Sequence, residues 1–121
     1  MNLIPLADRV ILRKIGIEVK SAGGLILSGG EVGENRDIVF GRVLFVGPGK
    51  QLDNSGPIPM TVKKGDLVAF NERIPLRQHY KGQYIYVLRE SDIVYINKDE
   101  DIVEQDYQEI GDIEKEKKFF G

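Results

Sequence analysis

Apolar residues along this chain come in short runs divided by turn-forming clusters, not at helical spacing. Val10-Ile11-Leu12, Ile38 to Val46, Leu67-Val68-Ala69-Phe70, Tyr84 to Leu88 and Ile93-Val94-Tyr95-Ile96 each read as a strand. Turn signals fall between them: Gly47-Pro48-Gly49, Asp53-Asn54-Ser55-Gly56-Pro57, Val62-Lys63-Lys64-Gly65-Asp66, Tyr80-Lys81-Gly82-Gln83-Tyr84 and Glu90-Ser91-Asp92. Pro5 has no amide hydrogen to give to a ladder, so the start of the first strand, within residues 3–14, belongs at a sheet edge. Gly41, inside an otherwise apolar run, reads as a bulge or bend. Residues 1–97 carry no convincing helical period. Short strands with frequent turn signals predict an all-β fold, a small β-barrel.

Residues 16–37 break the pattern. Roughly twenty residues without clear periodicity is long for a connection inside a compact domain, and such loops are usually functional or disordered. Their centre, Ser21 to Gly30, sets glycine pairs on both sides of the apolar triplet Leu25-Ile26-Leu27. Glycine weakens strands and loses the most backbone entropy on ordering. Two readings follow. The stretch is a tight hairpin that returns its triplet to the home core, or a recognition loop whose apolar tip docks into another protein.

Residues 98–121 differ in character. Residues 1–97 hold 13 Lys/Arg and 10 Asp/Glu, a net of +3, whereas residues 98–121 hold 4 and 9, a net of −5. Val103, Tyr107 and Ile110 give a weak amphipathic period that Gly111 interrupts. One domain over residues 1–97 is therefore expected, followed by an acidic extension that is partly helical or disordered. The extension is a solubilising tail, or else it packs onto an assembly of copies through Val103, Tyr107 and Ile110, or touches a partner through Phe119-Phe120. The chain holds no cysteine, which removes any disulfide framework or thiolate metal site. It has no long apolar run and no signal-peptide layout, so no membrane partner and a cytoplasmic location are expected.

Enzyme chemistry finds little support. Gly47-Pro48-Gly49-Lys50 resembles a phosphate loop superficially, but Leu44 and Gln51 stand where that motif needs Gly and Ser or Thr. Gly29 to Gly33 precedes no helix whose N-terminus could hold an anion. His79 is the single histidine and reads as a surface or strand-edge residue, and Asp92 after Ser91 as a turn former. No catalytic residue, metal site or cofactor is assigned. A second possibility is a small β-barrel that binds nucleic acid, with Tyr84 and Tyr86 stacking on bases from one strand face. The simpler reading turns that face to the core or to a neighbour. The scattered cations and acidic tail also argue against nucleic acid.

Taken in order, five motifs resemble the GroES-type co-chaperonins, the small ring-forming lids of GroEL-type chaperonins. They are Pro5-Leu6-Ala7-Asp8-Arg9-Val10, Ser21 to Leu27, Val46-Gly47-Pro48-Gly49, Val62 to Val68, and Glu90-Ser91-Asp92-Ile93. The resemblance covers roughly residues 1–97. It implies an irregular β-barrel, a ring of seven copies, and a nucleotide-dependent partnership with a GroEL-type chaperonin that binds and hydrolyses the ATP. Unfolded protein would be a transient cargo in the enclosed chamber. Residues 16–37 would be the mobile loop, with Gly23, Gly24, Leu25, Ile26 and Leu27 entering a groove on the chaperonin. Residues 47–57 would be a roof hairpin, including Gly49, Lys50, Asp53, Asn54 and Gly56. Leu3, Ile4, Pro5 and Leu6 would pair with Ile93, Val94, Tyr95 and Ile96 of a neighbouring copy, which would also cover the edge that Pro5 marks.

The chain departs from the family pattern in three places. Asn71 to Leu76 lacks the aromatic-then-Gly that many members carry, the segment between Leu27 and Gly41 is slightly longer, and residues 98–121 have no counterpart in compact members. These departures are compatible with an atypical member, including one carried by a virus of bacteria and acting in the host cytoplasm.

Overall fold

The computed structural model describes residues 1–19, 24–26, 37–52, 54 and 56–105, with residues 24–26 and 105 described by their backbone. Among the described residues every strand pairing is antiparallel, and the spine is one long strand, β1 (Arg9–Val19). Its two apolar runs, Val10-Ile11-Leu12 and Ile15-Gly16-Ile17, are buried on both faces, with half-buried Arg13 and Lys14 between them. β1 pairs with β8 (Gln83–Arg89) along Arg9 to Leu12 and with β3 (Ile38–Val46) along Val10 to Ile15. β3 continues to β6 (Leu67–Asn71) and then β9 (Ile93–Asn97), while β8 continues to β7 (Leu76–Tyr80). The path is thus β7-β8-β1-β3-β6-β9, an irregular barrel left open between its first and last strands.

The larger of two buried clusters fills the interior. Val10, Leu12, Val39, Val43, Val68, Phe70, Tyr84, Tyr86 and Leu88 are buried together, and Phe70 meets Tyr86 in a tilted ring pair at 5.8 Å. Each large apolar side chain buried there stabilises the fold by about 1.5–3 kcal/mol. Gly41 opens room for this packing. A Cβ at Gly41 would lie 2.7 Å from Leu12 Cδ1 and 2.9 Å from Phe70 Cε1. The bulge expected at Gly41 falls elsewhere: Ile11 faces Phe45 but Leu12 faces Val43, which leaves Leu44 as the extra residue. Gly41 itself stays in register opposite Lys14 and Val68 and serves close packing instead.

The expected start of the first strand is not a strand within one chain. Residues 1–6 form none, and the chain turns at Ala7 (φ 56°) before β1 begins at Arg9. The expected hairpin tip is present as a separate two-stranded sheet, β4 (Lys50–Leu52) with β5 (Gly56–Ile58). The 3₁₀ turn Glu90–Asp92 joins β8 to β9.

Beyond Ile15, β1 leaves β3 and acquires two other partners. β2 (Gly24–Ile26) pairs with Ile17 to Val19, and β10 (Ile102–Gln105) pairs with Gly16 to Val19. The acidic extension therefore enters the fold as a strand where partial helix or disorder is expected. Ile102 joins Val19 and Phe40 against a second buried cluster, Ile15, Ile17 and Leu67, and this apolar contact decides the conformation. Residues 106–121, with Tyr107, Ile110 and Phe119-Phe120, lie outside the described residues.

Candidate functional site

Three surfaces carry the residues singled out by sequence. The first is the end of β1. Gly24, Leu25 and Ile26 form β2, opposite Val19, Glu18 and Ile17 respectively. They stand off the barrel's six-strand path. Gly23 and Leu27 lie outside the described residues. Residues 16–19, expected as the start of the loop, continue β1 instead.

The second surface is the β4–β5 hairpin. Lys50, Asn54 and Gly56 are exposed, as are Leu52 and Ile58 at 46% each; Asp53 lies outside the described residues. Gly49 is the exception. It is buried at φ +115°, and an added Cβ would collide with the carbonyl of Ile58. A residue with φ in that region and a backbone oxygen against its Cα has to be glycine.

The third surface is split between the two ends of the chain's β-structure. Ile4 and Leu6 are 78% and 67% exposed, Leu3 is half-buried and Pro5 is buried. On β9, Ile93 and Ile96 pack against the core cluster, whereas Val94 and Tyr95 are 55% and 46% exposed. Val94 is left over where the register shifts between Ala69 and Phe70. Within one chain β9 pairs with β6, and residues 3–6 do not pair with it.

The motifs turn out to be the joints between these surfaces. Gly47 N–H donates to the carbonyl of Arg9 and Gly49 N–H to that of Ala7, both at 2.9 Å, so the Val46 to Gly49 motif rests on the Pro5 to Arg9 motif. Glu90 N–H donates to the backbone carbonyl of Asp8 at 2.9 Å, and the Glu90 carboxylate accepts from the amides of Thr61 at 2.7 Å and Val62 at 2.9 Å. Asp66 accepts from the amide of Lys63 at 2.9 Å, closing the turn before β6. The segment Asn71 to Leu76 is also pinned. Asn71 caps the amide of Arg73, and Glu72 bonds Lys14 at 2.9 Å while its amide donates to Asp37.

Two groups of residues escaped the sequence reading. One is the Glu90 cap. The other is Glu104, whose carboxylate lies 2.8 Å from Arg13 and 3.6 Å from Arg42, two cations facing each other on β1 and β3. The β-branched pair Ile102-Val103 in an otherwise polar tail was the available signal for a strand there.

The base-stacking alternative does not survive the geometry. Tyr84 and Tyr86 are 9% and 3% exposed and belong to the core cluster. The Tyr84 ring is further covered by Arg77, at 4.3 Å from its centroid, and by exposed His79, at 5.1 Å.

Comparison with known proteins identifies the family. The model of the chaperonin 10 kDa subunit family matches residues 2–96. A co-chaperonin GroES of Shewanella halifaxensis is 39% identical over 97 residues, covering 79% of this chain and 98% of that protein. A co-chaperonin GroES of Glaesserella parasuis serovar 5 is 40% identical over 96 residues, with the same coverage of each chain. With barrel, joints and relatives in agreement over the same residues, the chain belongs to the chaperonin 10 kDa subunit family and is a co-chaperonin.

Proposed function

We propose that this co-chaperonin acts in the bacterial cytoplasm as a ring-shaped lid. It closes the chamber of a GroEL-type chaperonin over unfolded cargo when that partner is nucleotide-loaded. The observation that carries the reading is the family match through residues 2–96, which includes the segment Gly23 to Leu27. Its described part, Gly24–Ile26, hangs on the end of β1, off the barrel's path.

Two dissimilar apolar surfaces suit assembly. Ile4 and Leu6, ahead of β1, are 78% and 67% exposed, and Val94 and Tyr95 on β9 are exposed as well. Dissimilar apolar edges meeting head to tail close a ring when the rotation per copy is right. Residues 3–6 of one copy against Ile93 to Ile96 of the next would supply that contact, with seven copies as in the family it resembles. The β4–β5 hairpins would converge as the roof.

The energetics favour a reversible lid. Burying Leu25, Ile26 and Leu27 contributes about 1.5–3 kcal/mol each. Ordering five loop residues costs about 1–2 kcal/mol apiece. One loop alone therefore binds weakly, and several on one ring bind tightly because each later contact is intramolecular. ATP chemistry belongs to the partner; this chain encloses and releases.

The test is co-migration with a GroEL-type double ring on size exclusion, with and without adenine nucleotide. The free ring should travel at about 95 kDa, seven times 13.6 kDa. A nucleotide-dependent shift onto the chaperonin is expected, and Leu25→Ser with Ile26→Ser should abolish it while the ring stays whole. Absence of any shift with an intact ring would overturn the lid reading.

A further inference from the structure

We infer that the C-terminal strand is a splint for the chaperonin-binding loop: β10 holds the end of β1 extended, so that β2 stands ready on the opposite edge. The inference rests on the lid reading above. It deepens that reading by assigning a role to a segment outside the family match, which ends at residue 96. The Shewanella halifaxensis relative is covered to 98% of its length by 97 residues of this chain, which leaves almost no length for a counterpart of β10.

Three observations carry it. First, β10 and β2 pair with the same residues of β1: Ile17, Glu18 and Val19 face Ile26, Leu25 and Gly24 in one ladder, and Glu104, Val103 and Ile102 in the other. A strand has two edges, so the extension occupies the edge that β2 leaves free. A two-stranded ribbon is marginal in water, whereas three strands with an apolar face are not. Second, that apolar face exists. Ile102 packs with Val19 and Phe40 on Ile15, Ile17 and Leu67. Third, the strand is locked in register. Glu104 is held by Arg13 and Arg42, one cation on each of two body strands. A slip of one residue would turn Ile102 and Glu104 to the other face and lose both contacts.

A loop whose root is already ordered surrenders less conformational freedom on binding, and preorganisation of this kind lengthens a complex's life. The effect repeats around the ring, since every copy carries its own splint. The lid with β10 should therefore leave its chaperonin more slowly than the same body without it.

The experiment compares the full chain, a chain ending at Gln105, a chain ending at Lys98, and full-length Glu104→Arg, which sets a third cation beside Arg13 and Arg42. Ring assembly is verified for each by sedimentation. Amide hydrogen exchange at residues 16–19 is read in the free rings, and dissociation from the nucleotide-loaded chaperonin is read by stopped flow. The chain ending at Gln105 should match the full chain. The chain ending at Lys98 should exchange faster at residues 16–19 and dissociate at least about tenfold faster, with Glu104→Arg shifted in the same direction. Equal exchange and equal release for the chains ending at Lys98 and Gln105, with binding intact, overturn the splint and leave the lid standing. A chain ending at Gln105 that behaves like the one ending at Lys98 overturns it too, since the effect then lies beyond β10. Intact rings of all four that never bind overturn the lid reading and the splint together.

Discussion

Gly47 lies so close to the carbonyl oxygen of Ala7 that no side chain can stand between them. Ala7 in turn holds φ 56°, a left-handed backbone that L side chains rarely adopt. The two residues therefore carry opposite requirements across one contact. Gly47→Ala pushes a methyl into backbone and should destabilise by about 1–3 kcal/mol. Ala7→Gly relieves about 1–2 kcal/mol of left-handed strain, offset by about 0.5–1 kcal/mol of unfolded-chain entropy, and should be neutral or slightly stabilising. Urea unfolding at one fixed chain concentration measures both, because association between copies makes stability concentration-dependent. Equal losses from the two swaps would show that this contact does not set the joint.

The Glu90 carboxylate gathers two amides from a loop about thirty residues upstream, Thr61 at 2.7 Å and Val62 at 2.9 Å. Val62 is 3% exposed and belongs to the core cluster, so its amide has little access to water. Glu90→Ala should cost about 1–2 kcal/mol, below the upper range for charged hydrogen bonds because Thr61 is exposed. Glu90→Gln keeps an acceptor oxygen and should lose less than half as much. The urea midpoints of the two variants decide it; identical midpoints would mean that neither the acceptor oxygen nor the packing retained by glutamine contributes.

These cases show which parts of the fold were legible. Turns closed by their own residues could be read directly: Lys63 to Asp66 is held by a bond three residues long, and Gly65 sits at φ +92° as such a turn requires. Strand runs were legible because burial on both faces leaves continuous apolar stretches. The joints were quoted as motifs, but their purpose was hidden, since Gly47 matters only because Ala7 arrives from another part of the chain. The bulge at Leu44 and the Glu104 clamp were out of reach for the same reason. Arg13 and Glu104 are 91 residues apart, and no local pattern states such a pairing. The acidic extension, with Val103, Tyr107 and Ile110 at a weak helical spacing, predicts partial helix or disorder, yet Ile102 packs on the cluster of Ile15, Ile17 and Leu67, and contact overrides period.

Gly41 and Leu12 should prove coupled. A Cβ on Gly41 would meet Leu12 Cδ1 at 2.7 Å and Phe70 Cε1 at 2.9 Å. Gly41→Ala alone should cost about 1–3 kcal/mol by overpacking, and Leu12→Ala about 2–5 kcal/mol by leaving a cavity. In the double variant the new methyl enters space that Leu12 has vacated, so the combined loss should fall short of the sum by roughly 0.5 kcal/mol or more. A double-mutant cycle on urea unfolding gives the coupling directly, and strict additivity would show that the barrel wall yields at Phe70 instead.

Assembly and capture should separate cleanly by substitution. Ile4 is 78% exposed and Tyr95 46% exposed in the isolated chain, so a carboxylate at either costs the monomer little, within roughly 0.5 kcal/mol. In a ring that buries both between neighbours, the same carboxylate enters an apolar contact without a partner charge, at about 1–3 kcal/mol or more per interface. Every interface of the ring suffers the same loss, so the penalties accumulate and the closed ring should give way to monomers at micromolar concentration. Ile4→Asp and Tyr95→Asp should therefore sediment as single folded chains with unchanged far-UV circular dichroism. Leu25→Ser should do the reverse, keeping the ring while losing the chaperonin, because β2 stands off the barrel's path and away from β9 in the pairing order. A ring that survives both carboxylates would mean that neighbouring copies meet through some other edge, with Leu76 on β7, 75% exposed at the opposite end of the path, the next residue to substitute.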